Sequence, residues 1–551
     1  MIATKTLCGR CAMGCGVRAM ADPQDGKDRR VFLEGDRIHP ANMGWLCPAG
    51  EALVFEAGLE GRLLHARLGA RRIPRDRAIA QAAKRLTDIV ARHGAGSVAL
   101  HVAGDLTTED YFVANKLMKG FIGSANIDVP WAEAGAQAHR VAFGEDVMPT
   151  SVEDIEQAEL ILLIGAQALQ RHPLLNERVR LAREEQGALL VVIDPDPASA
   201  DGDADLYLTP APGTVDRLLG GLLLHCHDAN LIDLPFLSEK VALPHGYWDD
   251  LRPGHDLWSV TRATGLPAAR IRELKDMIAG AGRMVTIFDP DGEEGADRTA
   301  AAILALHLAT GRIGRPGAGP FALPGAPNAM GAREAGCCAT TLAAHHAFGA
   351  DGHGSVARFW AAPKLVKAPG LAGAALLDAI RDGRIKALIM LGAMPPVWFD
   401  ALPASRPFTL FVGDRLDPSM ADRIDIALPM AAMLERDGTL TSADRLIGRQ
   451  RPVFPLPGEA RPGWWIVTQI ARAMGWHEAF HYERPAEIYR EHARLSAYHD
   501  DGRRVFTLRR HAPVSNPAYQ ELTPWRWGEL PFDEGRFPTD DGKARLVRFW
   551  D

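Results

Sequence analysis

Cys8-Gly9-Arg10-Cys11-Ala12-Met13-Gly14-Cys15 stands at the start of the chain, and Cys47 follows inside Gly44-Trp45-Leu46-Cys47-Pro48-Ala49-Gly50. Three cysteines on one short loop can point successive thiolates at neighbouring irons, with the fourth thiolate arriving from elsewhere in the fold. A cubane [4Fe-4S] cluster takes four thiolates, one per iron. Gly14 lets the loop curl tightly. Zinc more often takes two short pairs, so the three-plus-one spacing suits the cubane better and predicts Cys8, Cys11, Cys15 and Cys47 as its ligands.

Outward from this module the chain is an ordinary globular sequence. It has 551 residues, 47% of them hydrophobic and 24% charged, with a formal charge of -7. That is enough for several cores, and it offers no basic footprint for nucleic acid. Its apolar runs are far shorter than the ~20 residues of a membrane span. The first residues, Met-Ile-Ala-Thr-Lys-Thr-Leu, show neither an apolar leader nor a twin arginine, so a cytoplasmic location is expected. Seven cysteines without an export signal argue against a disulfide framework.

Beyond residue 66 the pattern alternates strand and helix. Ile79, Ala83, Leu86 and Val90 recur at helical spacing, predicting a helix over 76–93. Ser97–Val102, Leu160–Ile164, Leu189–Ile193, Met284–Phe288, Lys386–Leu391 and Phe408–Val412 read as buried strands. Thr107 to Asp110 has the form of a capping box opening a helix to about Met118. A further helix is predicted from about Asp297 to Thr310, and a long loop from Phe321 to Gly336. Such alternation implies α/β, doubly wound domains with parallel sheets. The predicted division is a [4Fe-4S] domain over 1–66, an α/β domain over 67–150 plus about 335–480, a second α/β domain over 151–334, and a C-terminal wrap over 481–551.

At this point the cysteine module resembles the N-terminal domain of molybdopterin oxidoreductases (the DMSO reductase superfamily), in particular the catalytic subunits of assimilatory nitrate reductases and formate dehydrogenases. The likeness extends to Gly61-Arg62-Leu63-Leu64, to the run from Ala114 to Gly123, and to Ile161-Leu162-Leu163-Ile164-Gly165. It continues through Thr310-Gly311-Arg312-Ile313-Gly314-Arg315-Pro316-Gly317 and Pro327-Asn328-Ala329-Met330-Gly331-Ala332-Arg333-Glu334. The resemblance implies that Gly165, Arg312, Gly314, Asn328 and Arg333 line the family's pterin cleft, and that two α/β domains carry it.

The sequence also departs from that pattern. The family's nitrate reductases place a cysteine on molybdenum shortly after Asn-Ile-Asp, whereas from Asn126-Ile127-Asp128 to Gly144 this chain has no cysteine or serine. Where the family has lysine beside the fourth cysteine stands Ala49, and where it has arginine before it stands Trp45. Asp194-Pro195-Asp196 replaces Asp-Pro-Arg, exchanging a phosphate-pairing charge for a repelling one. Pro212-Gly213-Thr214-Val215 delays the expected aspartate by one residue, to Asp216. The sequence stops at Asp551, about where the family's lid domain over the pterins begins, so a truncated chain lacking the lid and a degraded molybdenum site are expected.

Weaker motifs have plainer readings. His225-Cys226-His227 reads as a helix end, because adjacent helical residues diverge. Cys337-Cys338 reads as buried packing, His345 and His346 as packing or surface, and Asp289 to Glu294 as an acidic turn without a full calcium-loop pattern. Three functions compete. The first is an iron-sulfur electron-transfer subunit of a nitrate reductase or formate dehydrogenase type complex. It would have no molybdenum site and no catalytic residues of its own, molybdopterin dinucleotide would be absent, and it would serve a catalytic molybdenum- or tungsten-containing partner. The second is a shortened molybdopterin-dependent oxidoreductase completed by a partner chain. The third is a scaffold.

Overall fold

The structure is a computed structural model that describes residues 1–22, 29–133, 135–196, 203–290, 295–400, 402–403 and 406–550. Residues Ile2–Leu7, Gly16–Ala21 and Val31–Gly35 form a three-stranded antiparallel sheet, and the cysteine loop joins the first two strands. Its edge strand, Val31–Gly35, packs against the short helical turn Ala52–Glu56.

Two larger sheets follow. Leu160–Ile164 is fully buried, as a strand covered on both faces must be. It sits at the centre of a five-stranded, all-parallel sheet ordered Leu206–Leu208, Leu189–Ile193, Leu160–Ile164, Met284–Phe288, Gly319–Ala322. Helices Val215–Asp228 and Ala296–Ala309 pack together beside it.

The second sheet has seven strands, drawn from distant parts of the chain. Five are parallel, in the order Ile426–Pro429, Phe408–Gly413, Ala387–Leu391, Val98–Val102, Ile127–Asp128. The edge strands Arg67–Leu68 and Arg71–Arg72 add antiparallel. Side chains alternate across the sheet, as the two-residue strand period requires. Ile389, Leu391 and Leu410 face the core beneath helix Arg75–His93, while Leu388, Met390 and Phe411 face helix Gly373–Arg381. Helices on both faces make this sheet doubly wound.

Two local expectations need correction. The stretch Phe321–Gly336 is not all loop, because it carries the end of strand Gly319–Ala322 and helix Ala329–Glu334. The helix opened by Thr107 is α-helical only over Thr108–Asn115, then widens into a π-helical turn over Lys116–Ile122. There Lys116 Nζ reaches the Ala479 carbonyl and the Glu491 carboxylate, and Lys119 Nζ reaches the Gly336 carbonyl, so buried partners hold the wider turn. The C-terminal stretch over 481–551 carries regular elements. It holds helix Pro485–Ser496, and strand Ala544–Arg545 pairs in parallel with Val241–Ala242 of the five-stranded unit.

Candidate metal centre

The cysteine loop begins where strand Ile2–Leu7 ends, and the Cys8 amide donates to the Cys15 carbonyl at 2.8 Å to close it. Gly14 turns with φ of +60°, a conformation that costs glycine nothing. Cys47 arrives from the other side as the residue capping helix Pro48–Glu51, with proline at the first helical position. All four thiols are free. They line one small pocket with Met13, Leu46, Pro173 and Leu174. The last two open helix Pro173–Gln186 of the five-stranded unit, so that unit supplies one wall.

The pocket is walled mainly by apolar side chains, with Arg10 at its lining, and its sulfurs are crowded. Burial pushes the Cys8 thiol up to about 12, and the neighbouring Cys11 and Cys47 sulfurs push the same way. Burial likewise lifts Cys11 to about 11 and holds Cys15 well above the ordinary thiol range. Backbone amides of Arg10 and Met13 work against this by hydrogen bonding to the Cys8 and Cys11 sulfurs. Four crowded thiolates, two of them fully buried, require compensating positive charge, which a metal centre supplies. Among the described residues no three His, Cys, Asp or Glu side chains converge on a single ion. Four cysteines lining one pocket match in number the ligands of a cubane cluster, in which each thiolate binds its own iron.

The sequence did not reveal what clamps this loop from outside. The Ala443 amide donates to the Ala12 carbonyl at 2.7 Å, in the turn of the hairpin Gly438–Thr441 and Leu446–Gln450. More than 400 residues separate the partners, and nothing local in the sequence marks such a contact.

The five residues assigned by resemblance to a pterin cleft sit after strand Leu160–Ile164, after helix Ala296–Ala309, and at or within helix Ala329–Glu334. Gly165 ends the central strand with φ of +85°, at the carboxyl edge of the sheet. Beside it Asp194 accepts from the Ala166 amide at 2.6 Å and from the Asp196 amide at 2.8 Å. Arg171 and Asp289 form an ion pair near the same edge. Arg312 spends its guanidinium on the carbonyls of Ala281 (2.6 Å) and Ile278 (3.2 Å). Gly314 also turns with positive φ and lies so close to the Phe532 carbonyl that a Cβ would collide. Asn328 is buried, donating to the Leu106 carbonyl at 2.8 Å and accepting from the Thr441 amide at 2.9 Å. Arg333 is buried too, at 2.6 Å from both the Ala132 carbonyl and the Asp146 carboxylate. The structure brings the four cysteines to one pocket.

The segment after Asp128 takes part in the same enclosed network. Its helix, Ala136–Phe143, brings His139 to 3.5 Å from Asp146. Burial opposes charge on Asp146, but Arg333 and His139 hold its carboxyl well below the usual carboxylate range. Phe143 packs on Phe532 and Phe537 of the C-terminal stretch.

The displaced aspartate, Asp216, pairs with Arg298 at 3.0 Å. Cys226 is buried and His225 and His227 are half-buried at a helix end. Cys337 and Cys338 are buried beside Lys119, a charge the sequence did not place there, and burial raises both thiols. His345 pairs with Glu145 at 3.1 Å. Residues 291–294 of the acidic turn lie outside the described residues.

Residues 76–473 match the molybdopterin oxidoreductase family, and residues 1–56 match the molybdopterin oxidoreductase Fe4S4 domain. The chain belongs to the molybdopterin oxidoreductase family. It is 38% identical to a nitrate reductase of Klebsiella oxytoca across 99% of its own length and 64% of that protein's. It is 33% identical to a nitrate reductase of Shewanella frigidimarina across 99% of its own length and 61% of that protein's. A putative formate dehydrogenase of Bacillus subtilis is 27% identical over 99% of this chain and 56% of its own length. The chain thus spans under two thirds of each of these relatives. Acetylene hydratase from Pelobacter acetylenicus shares the fold, with a TM-score of 0.76 over 98% of this chain and 77% of that one, at 19% identity. The family's α/β architecture, with an N-terminal Fe4S4 domain and parallel sheets, is the one described above. Among the described residues no helix is long and apolar enough to cross a membrane.

Proposed function

We propose that this molybdopterin oxidoreductase family chain is an electron-transfer subunit of a nitrate reductase or formate dehydrogenase type complex, built around one [4Fe-4S] centre and without a molybdenum site of its own. The observation that carries the reading is the contrast between the two sites. Cys8, Cys11, Cys15 and Cys47 line one pocket, whereas Arg333 and Asn328 at the pterin side are spent on Asp146 and on backbone groups of their own chain.

A [4Fe-4S] cluster bound by the four thiolates supplies one-electron transfer. The chain's own residues do the rest. Met13, Leu46, Pro173 and Leu174 give the sulfurs apolar walls. The Arg10 and Met13 amides point positive dipoles at two of them, and such hydrogen bonds favour the more negative, reduced state. Cys11 and Cys47 are half-buried while Cys8 and Cys15 are fully buried, so electrons enter or leave on the Cys11–Cys47 side.

At the pterin side, no thiol or hydroxyl follows Asp128 to ligate a soft metal before Gly144. A buried guanidinium already paired to Asp146 is a poor partner for a phosphate, because it would have to abandon a buried carboxylate.

A second reading, a pterin-dependent reductase, is favoured by the match of residues 76–473 to the family and by the likeness to nitrate reductases. Metal and pterin analysis of protein isolated from its native host separates the two. The relay reading expects about four irons and four sulfides per chain and no stoichiometric molybdenum, tungsten or pterin dinucleotide. A full complement of molybdenum or tungsten with pterin establishes the reductase instead.

A further inference from the structure

Strand Gly438–Thr441 lies between the cysteine loop and two buried carboxyls. On one face Leu440 reaches the loop: a Cβ on Gly9 would meet Met433 Cε at 3.2 Å and Leu440 Cδ1 at 3.7 Å. Just beyond the strand, a Cβ on Gly14 would meet Ser442 Cβ at 3.4 Å, and the Ala443 amide holds the Ala12 carbonyl. Side chains alternate along a strand, so Thr439 and Thr441 point away from Leu440. There the Glu109 carboxyl accepts from the Thr439 amide at 2.8 Å and from its hydroxyl at 3.1 Å, and the Glu334 carboxyl accepts from the Thr441 hydroxyl at 2.8 Å. One short strand thus separates the loop that carries three of the thiols from both acids.

Each acid is only 1% exposed. Glu109 also accepts from the Tyr519 hydroxyl at 2.6 Å, and Glu334 from Trp527 Nε1 at 2.7 Å. Arg449 faces Glu109, but its guanidinium pairs with Asp437 at 2.5 Å. Arg333 and His345 face Glu334, where Arg333 pairs with Asp146 at 2.6 Å and His345 with Glu145 at 3.1 Å. His492 Nε2 sits at 3.2 Å from the Glu334 backbone carbonyl, and Tyr489 lies within electrostatic reach of both acids. Burial pushes both carboxyls up to about 7 against their hydrogen-bond donors. Groups poised near neutrality respond to a charge added nearby, and a negative charge favours their protonated form. Two unit charges about 12 Å apart, at an effective dielectric of about 20, change each other's equilibria about tenfold.

We propose that Glu109 and Glu334 are proton acceptors coupled to the cysteine centre: when one electron enters the [4Fe-4S] cluster, this pair of carboxyls binds a proton, and when the electron leaves, the proton returns to solvent. The electron comes from a one-electron donor and the proton from water, and the only bond made or broken in the chain is a carboxyl O–H. The inference rests on the cluster assignment, which the relay and reductase readings share, and adds a proton to the movement of the electron.

The experiment is a redox titration of the full-length, cluster-loaded chain from about pH 6 to 9, followed by visible absorption. The unaltered protein is compared with Glu109→Gln, Glu334→Gln and the two together. Glutamine keeps the shape of the side chain and is neutral, as a protonated carboxyl is. Infrared difference spectra between oxidised and reduced protein, in H2O and D2O, report protonated carboxyl groups directly.

In the unaltered protein the midpoint potential should fall as pH rises, by up to about 59 mV per unit, the equivalent of a tenfold change in proton concentration for a one-electron couple. Each single variant should fall less steeply. The double variant should be flat and lie above the unaltered protein at pH 9, because it lacks the carboxylate charge that opposes the incoming electron. Reduction should strengthen a carboxylic-acid band that shifts in D2O and weakens in the variants. The proposal is overturned by a midpoint independent of pH in the unaltered protein, or by a reduction that adds no carboxylic-acid band. It is equally overturned by a fall that survives in the double variant, which would belong to another group such as His39, packed on Gly16. The infrared measurement needs only the unaltered protein, so it decides even where a variant does not fold. Absence of iron in the chain isolated from its native host overturns the cluster assignment itself. A sound cluster with a pH-independent potential overturns only the proton coupling.

Discussion

Cys11 lies midway along its loop and is half-buried, and its sulfur accepts from the Met13 amide. Serine at this position keeps the shape of the side chain but replaces a soft thiolate with a hard, protonated hydroxyl, which binds iron poorly. Cys11→Ser should therefore reduce the iron content and the visible absorption of the purified chain, and an unchanged spectrum and iron count would remove Cys11 from the ligand set. Two buried carboxyls make a separate, pH-dependent contribution. Burial pushes Glu109 up to about 7 against the opposing hydrogen bond from Tyr519, and Glu334 up to about 7 against those from Thr441 and Trp527. Between about pH 4.5 and 7 the unfolded chain ionises these groups while the folded chain holds their protons, so stability falls as pH rises through that window. Glu109→Gln should flatten this fall in urea midpoints measured across the window. An equally steep fall in the variant contradicts the assignment.

Among the elements, helix Thr108–Asn115 shows how local chemistry and tertiary contact share one residue. The Thr107 hydroxyl accepts from the Asp110 amide at 3.3 Å, and the Asp110 carboxylate accepts from the Thr107 amide at 3.1 Å. The other Asp110 oxygen accepts from the Trp464 amide at 2.6 Å, tying this helix to the start of helix Gly463–Ala473. Thr107→Ala should cost about 1 kcal/mol, the usual value of a helix N-cap, seen as a lower urea midpoint with an unchanged slope. Loss of the whole fold would mean that the cap carries more than helix capping. The box was legible because its residues are three apart. The wide turn that follows was not, since Lys116 and Lys119 obey helical spacing and only their buried carbonyl and carboxylate partners reveal the change of geometry.

Across the whole molecule, the cysteine pocket is a joint between distant parts of the chain. The N-terminal loop supplies three thiols, helix Pro173–Gln186 one wall, and the turn at Ala443 an outer clamp. The C-terminal stretch closes the assembly: Phe532 and Phe537 pack on Phe143, Trp527 Nε1 donates to Glu334 at 2.7 Å, and Ala544–Arg545 adds a strand beside Val241–Ala242. Cluster and fold should therefore be lost together. In denaturant, bleaching of the cluster absorption and loss of far-ultraviolet dichroism should share one midpoint within error. Bleaching well before the fold melts would show that the N-terminal module opens independently.

By itself the sequence determined the features that depend on near neighbours. The cysteine spacing specified a loop able to present three thiolates, and the unbroken apolar runs specified strands buried on both faces. The alternation of strand and helix specified parallel, doubly wound sheets, because period and spacing are properties of the chain itself. The tertiary structure alone decided which distant segments share a sheet, with Arg67–Leu68 beside Ile426–Pro429 and Val98–Val102 beside Ala387–Leu391. It also decided what Arg312, Asn328 and Arg333 touch, which is carbonyls, a backbone amide and a carboxylate from distant parts of the chain. Such partners are invisible in one dimension, since a side chain's role is set by whatever the fold brings within hydrogen-bonding distance.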